Sequence, residues 1–206
     1  MASAPASQDV GLRSPAGDLR HWRHECGPAH DEGDNLRTRR TVIPVSDNLS
    51  PALATHLFLH GMREDHLAVL AQAATEVMIP AGHHLFEEGG NARRFWLIES
   101  GRVALDLQIP GEGPAVIENI GMGELLGWSW LFPPYQWAFG AVTVSDVRAF
   151  EFDAASMRAR CAAEPEFGHE LTRRVAVVLA RRLRTTRIKL LSCRSGRDGP
   201  PWATDL

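Results

Sequence analysis

The densest chemistry in this 206-residue chain is aromatic. Trp128, Trp130, Phe132, Tyr135, Trp137 and Phe139 put six rings into twelve residues, with three of the six tryptophans and the only tyrosine. Pro133-Pro134 stiffens the middle of the run. Rigid rings offer apolar area to a planar or apolar ligand. The same rings can instead collapse on one another and fill a pocket, or stay exposed and dock a protein partner, since Trp and Tyr are typical anchors of interfaces. All three readings are open at this level. Ser129 and Ala138 lie within the run and Gly127 opens it.

Other clusters of reactive types carry less. His21, His24, Cys26 and His30 are of types that suit zinc, but their spacing matches no closed zinc module, and a solvated segment is the expectation. GxSxG, the P-loop, HExxH and the dinucleotide-binding glycine set are absent, so no catalytic residue is assigned and an enzyme is not expected. Cys26, Cys161 and Cys193 are an odd number without CxxC spacing, which fits a reducing compartment better than a disulfide framework. The formal net charge of -3, with 44% hydrophobic and 23% charged residues, is that of a globular protein with no general attraction for nucleic acid or anionic lipid. No apolar run approaches the ~20 residues that cross a bilayer. The expected location is cytoplasmic, with no membrane partner.

The elements that must position the aromatic run are short. Residues 1–48 are rich in Ala, Ser, Gly, Asp, Arg and His without an apolar period, and predict a disordered or loosely docked arm. Residues 49–163 predict a mainly β domain with flanking helices. Ser50-Pro51 suits a helix start, and Leu67, Leu70 and Ala71 share one face of a second helix. The period then drops to two. Val77 and Ile79, Leu85-Phe86, Phe95 to Ile98, Val103-Leu105-Leu107, Val116 to Ile120, Ala141 to Val144 and Val147 to Phe152 read as strands broken by glycine turns. Asp153 suits an N-cap. Residues 164–192 predict a long helix opened by Pro165, and residues 193–206 a flexible tail. In the long helix Thr172, Ala176, Leu179, Leu183, Thr186 and Leu190 recur at alternating spacings of four and three, a seam suited to pairing two copies. A homodimer through Ala176, Leu179, Leu183, Thr186 and Leu190 is expected. The helix also carries Arg173, Arg174, Arg181, Arg182, Arg184, Arg187 and Lys189, read as a solvated outer face.

This order of elements resembles the cyclic-nucleotide-binding domain of the catabolite activator protein and its relatives. The likeness rests on Pro80-Ala81-Gly82, on Phe86-Glu87-Glu88-Gly89, on Phe95-Trp96-Leu97-Ile98-Glu99-Ser100-Gly101-Arg102-Val103, and on Gly123-Glu124-Leu125-Leu126-Gly127, which is similar to the start of the phosphate-binding cassette. It implies a β-roll of the double-stranded jelly-roll kind flanked by short N-terminal helices and a long C-terminal helix, and a regulatory or sensor role. It also implies anchors that this chain lacks. Where relatives have a ribose-binding Glu after the second cassette glycine, this chain has Trp128; the phosphate-holding Arg-Ser pair aligns with Ala138 and Phe139. Each lost hydrogen bond to a charged group costs roughly 1.5–3 kcal/mol, one to two decades of affinity, so ordinary cAMP or cGMP binding is not expected.

The ligand-pocket candidates are therefore Gly127, Trp128, Ser129, Trp130, Tyr135, Trp137, Ala138, Phe139 and Thr186, the last aligning with a helix residue that reaches the base in some relatives. No cofactor is expected beyond an unidentified small molecule. The competing expectations are a ligand-free interaction or dimerisation module and a transcription regulator acting through a separate DNA-binding partner. The roughly fifteen residues after Leu191 include Gly199-Pro200-Pro201 and offer no recognition helix, so no direct DNA contact is expected. A carboxylate and a guanidinium reaching the cassette cavity from elsewhere in the chain would overturn the reading of an altered ligand.

Overall fold

The computed structural model describes residues 41–42, 49–111 and 113–195. Among the described residues, nine strands form two antiparallel sheets: β1 (Thr41–Val42), β2 (Thr75–Ile79), β9 (Val147–Asp153), β4 (Arg94–Ser100) and β7 (Leu125–Leu126) in that spatial order, and β3 (His84–Phe86), β8 (Gly140–Thr143), β5 (Val103–Ile109) and β6 (Gly113–Ile120) in the other. The α-helices described beside them are α1 (Leu49–Thr55), α2 (Glu64–Ala73), α3 (Ala154–Ala163) and α4 (Pro165–Ser195). No helix among the described residues is long and apolar enough to cross a membrane.

Alternation along β4 explains how the roll is filled. Successive side chains leave a strand on opposite faces, yet Phe95, Trp96, Leu97 and Ile98 are all buried, because both faces of β4 are covered. Phe95 stacks on Trp130 and on Phe152, at 4.4 and 4.7 Å between ring centroids. Trp96 turns the other way, toward Phe86 at 5.8 Å and Trp137 at 6.2 Å. Its indole N–H donates to Glu151 Oε2 at 2.9 Å, which satisfies a carboxylate that is itself buried. The other buried carboxylate, Glu76, pairs with Arg148.

The helices close one side. Asp153 Oδ1 accepts from Ser156 N at 2.7 Å and caps α3, as the sequence predicts. Pro165 opens α4, and Phe167, Leu171 and Val175 bury its first turns. A polar knot ties that end down. Arg174 donates to the carbonyls of Phe58 and His60 and to Glu170, while His66 Nδ1 meets Glu170 Oε2 at 2.6 Å. Burial pushes the Glu170 carboxyl up, but the hydrogen bonds from Arg174 and His66 outweigh it and hold the group below its ordinary value. Nearby, the buried His56 ring accepts from Phe58 N and meets the Ile98 carbonyl at 3.0 Å through Nε2, and burial lowers its pKa.

Two boundaries differ from expectation. Thr41–Val42 fall within the predicted arm yet pair with Met78 and Val77 at the sheet edge, so a stretch without apolar period is recruited by the free backbone of β2. Helix α4 runs to Ser195, past the expected end at 192, there being no helix breaker before Gly196. The histidine–cysteine cluster at 21–30 and the tail from 196 lie outside the described residues.

Candidate functional site

The aromatic run links β7 to β8. After β7, Gly127 takes φ +86°, and Trp128–Leu131 follow as a 3₁₀ turn. The left-handed φ favours glycine, and so does the space: a Cβ on Gly127 would come within 2.8 Å of the Trp137 ring. Trp137 is fixed through its backbone. Its N–H donates to Gly90 O and its carbonyl accepts from Gly89 N, both at 2.8 Å. Its indole lies flat on Phe86, 3.9 Å between centroids and 14° between planes, and is 6% exposed.

These groups border a small, partly open cavity, lined by Phe86, Leu105, Gly127, Trp128, Ser129, Trp137, Ala138, Phe139 and Arg182. Its volume is about 10 Å³, the room of a single water. The only hydroxyl at its wall, Ser129 Oγ, accepts from Ala138 N at 3.4 Å. Six of the nine pocket candidates therefore meet here: Gly127, Trp128, Ser129, Trp137, Ala138 and Phe139.

Three lie elsewhere. Trp130 is wholly buried against Phe95, because in a 3₁₀ turn residues two apart face different sides, which sends Trp128 and Trp130 to different neighbours. Tyr135, at φ +59°, swings outward and lies under the Arg158 guanidinium at 4.4 Å. Thr186 is exposed on α4, one turn beyond the residue that does reach the cavity.

That residue is Arg182. The sequence assigns the arginines of α4 to a solvated face; for Arg182 and Arg174 the structure corrects this, with side chains only 10% and 11% exposed. Arg182 Nη2 donates to Leu125 O at 2.7 Å, and Nε stands 3.7 Å from Glu118 Oε2 without a hydrogen-bond partner. Burial lowers its pKa, and the charges of Glu118 and Glu124 oppose that shift. Its neighbour Arg181 pairs with Glu124 Oε1 at 2.6 Å. A guanidinium thus does reach the cavity from outside the cassette, while no carboxylate is among the residues that line it. Phe86 and Leu105 are the other wall residues that sequence reasoning missed. Both are ordinary strand residues, and only the pairing of the sheets brings them here.

Along the seam, Ala176, Leu183, Thr186 and Leu190 are exposed in the single chain and Leu179 is half-buried. Leu183 and Leu190 keep 53% and 60% of their surface exposed.

A roll of two antiparallel sheets closed by a long helix, with a glycine-led cassette between β7 and β8, is the architecture of cyclic-nucleotide-binding domains. Residues 76–164 match the family model of the cyclic nucleotide-binding domain. The CRP-like cAMP-activated global transcriptional regulator of Mycobacterium tuberculosis is 31% identical over 134 residues, 65% of this chain; the match spans 58% of that relative's length. Among solved structures, a cyclic nucleotide-binding domain from Methylobacillus flagellatus KT superposes with a TM-score of 0.69 at 16% identity, covering 80% of this chain and 96% of that one. The Thermus thermophilus catabolite activator protein gives a TM-score of 0.54 at 24% identity, covering 66% and 62%. These likenesses establish the fold.

Proposed function

We propose that this chain is a regulatory protein, not an enzyme, whose cyclic-nucleotide-type domain works without cAMP or cGMP, and that two copies pair through the seam of α4. The observation that carries the first part is the cavity itself. Where a cyclic phosphate would need a guanidinium and a hydroxyl on the cassette, the chain places Ala138 and Phe139, and Trp137 lies across Gly127. Arg182 does not restore the grip: its Nη2 is spent on Leu125 O, and Glu118 already stands beside its Nε. Two missing charge-assisted contacts remove roughly two to four decades of affinity.

Calorimetry with cAMP and cGMP is therefore expected to give no saturable heat up to about a millimolar. Micromolar binding would overturn the reading, and its loss in Arg182→Met would then assign the phosphate grip to the helix. For the pairing, light scattering is expected to give a dimer mass for wild type and a monomer mass for Leu183→Asp, since a carboxylate buried in an apolar seam lacks a partner. Equal masses would remove the seam.

A further inference from the structure

Within that reading, we infer that Trp137 is a built-in occupant of the cassette and that it, in place of a diffusible ligand, keeps α4 docked on the roll. The inference rests on the segment Glu124–Gly127, which is held from two sides. From inside, the Trp137 indole presses on Gly127 so closely that a single methyl there would collide with the ring. From outside, Arg181 binds the Glu124 carboxylate and Arg182 binds the Leu125 carbonyl. These are the polar contacts that join the middle of α4 to the cassette, a turn or two past the apolar anchoring of Phe167, Leu171 and Val175.

The occupant is itself well secured. Two backbone hydrogen bonds to Gly89 and Gly90 place Trp137, and the stack on Phe86 orients it. An interior with room for one water has no slack. Removing the ring empties the inner side of the segment, which can then shift inward and carry the Leu125 carbonyl away from Arg182. The guanidinium, already short of one acceptor at Nε, would lose its Leu125 bond too, and water would become its better partner. Helix α4 beyond Val175 would then hold to the roll chiefly through half-buried Val178 and Leu179 and the exposed Arg181–Glu124 pair.

The test is amide hydrogen exchange on the full chain, read as α4 residues 176–191 against β4. In Trp137→Gly the α4 amides are expected to exchange at least about tenfold faster relative to β4 than in wild type, and millimolar indole, filling the vacated space, is expected to reverse this. Arg182→Met removes the Leu125 bond from the outer hold while Trp137 stays in place, and is expected to free α4 to a similar extent with no response to indole; it also serves if Trp137→Gly does not fold. Trp130→Gly opens a void against Phe95, on the face of β4 opposite Trp96 and Trp137, and is expected to leave the α4-to-β4 ratio unchanged. The inference is overturned if α4 exchange keeps pace with β4 in Trp137→Gly, if Arg182→Met leaves α4 protected, or if indole raises the urea midpoint without protecting α4. Tight cAMP binding by wild type would sink the preceding proposal instead; silent cAMP with an indifferent α4 sinks this one alone.

Discussion

Replacing Gly101 by alanine is expected to destabilise the fold by about 2–6 kcal/mol, a large part of the 5–15 kcal/mol typical of a domain. Gly101 turns the chain from β4 into β5 at φ +88°. A side chain there meets two costs. The left-handed backbone is strained for any residue with a Cβ, and that Cβ would lie 2.2 Å from the Asp146 carbonyl oxygen and 2.9 Å from Val147 Cα. Both obstacles are backbone and neither can give. Val147 is fully buried and pairs with Ile79, while Asp146 Oδ1 accepts from Ala81 N at 2.9 Å. Gly111 provides the comparison, with φ +82° and nothing within 4 Å of a built Cβ. Gly111→Ala carries the strain without the collision and is expected to cost about 1–2 kcal/mol. Urea unfolding at unchanged m reads the difference as a shift in midpoint. Equal shifts for the two variants would mean that the contact with Asp146 is relieved and the packing argument is wrong.

The two glycines are indistinguishable in the sequence, where each simply follows a strand. The same limit runs through the molecule. Features set by local physics could be read: the period of two in β2 and β5, the continuous apolar run of β4, the Asp153 cap, the proline that opens α4. So could the aromatic run as a feature of the site. What faces what inside it could not. Phe86 meets Trp137 only because Gly89 and Gly90 pair with the Trp137 backbone across nearly fifty residues of chain. Trp128 and Trp130 part company because the backbone after Gly127 coils into a 3₁₀ turn, which no spacing of aromatics announces.

Arg182 shows the limit most clearly. In a helix with eight arginines and lysines the solvated face is the economical reading, and Arg173, Arg184, Arg187 and Lys189 are indeed exposed. Arg182 differs only in its azimuth. It continues the line of Leu171, Val175 and Val178 down the buried side, where a long apolar stem can cross the roll surface and deliver its charge to a carbonyl. Helical phase alone would have singled it out, had the buried face been known. The charge at this cavity wall therefore comes from α4, not from the cassette. Cassette and helix are thereby joined by a direct bond, and the residues that set that bond are those that decide whether α4 is held.

Within the aromatic run the largest single effect is expected at Trp130. Trp130→Ala should cost about 3–5 kcal/mol, as for large aromatic side chains removed from a core. The indole is wholly buried and is one face of the stack that continues through Phe95 to Phe152; its loss leaves a void bordered by rings that β4 and β9 hold in place. Trp130→Phe should cost well under half as much. It keeps the stacked face, and the indole N–H that it removes is buried without an acceptor among the described residues, so no bond is lost and an unpaired donor is relieved. Tyr135→Ala, five residues on, should cost about 1 kcal/mol or less: the ring is 38% exposed, and what goes is chiefly its cation–π contact with Arg158. Urea midpoints of the three variants order the run into core and rim. If Trp130→Ala and Tyr135→Ala fall within 1 kcal/mol of each other, the run is not divided as the geometry divides it, and Trp130 returns to the list of residues that face a ligand.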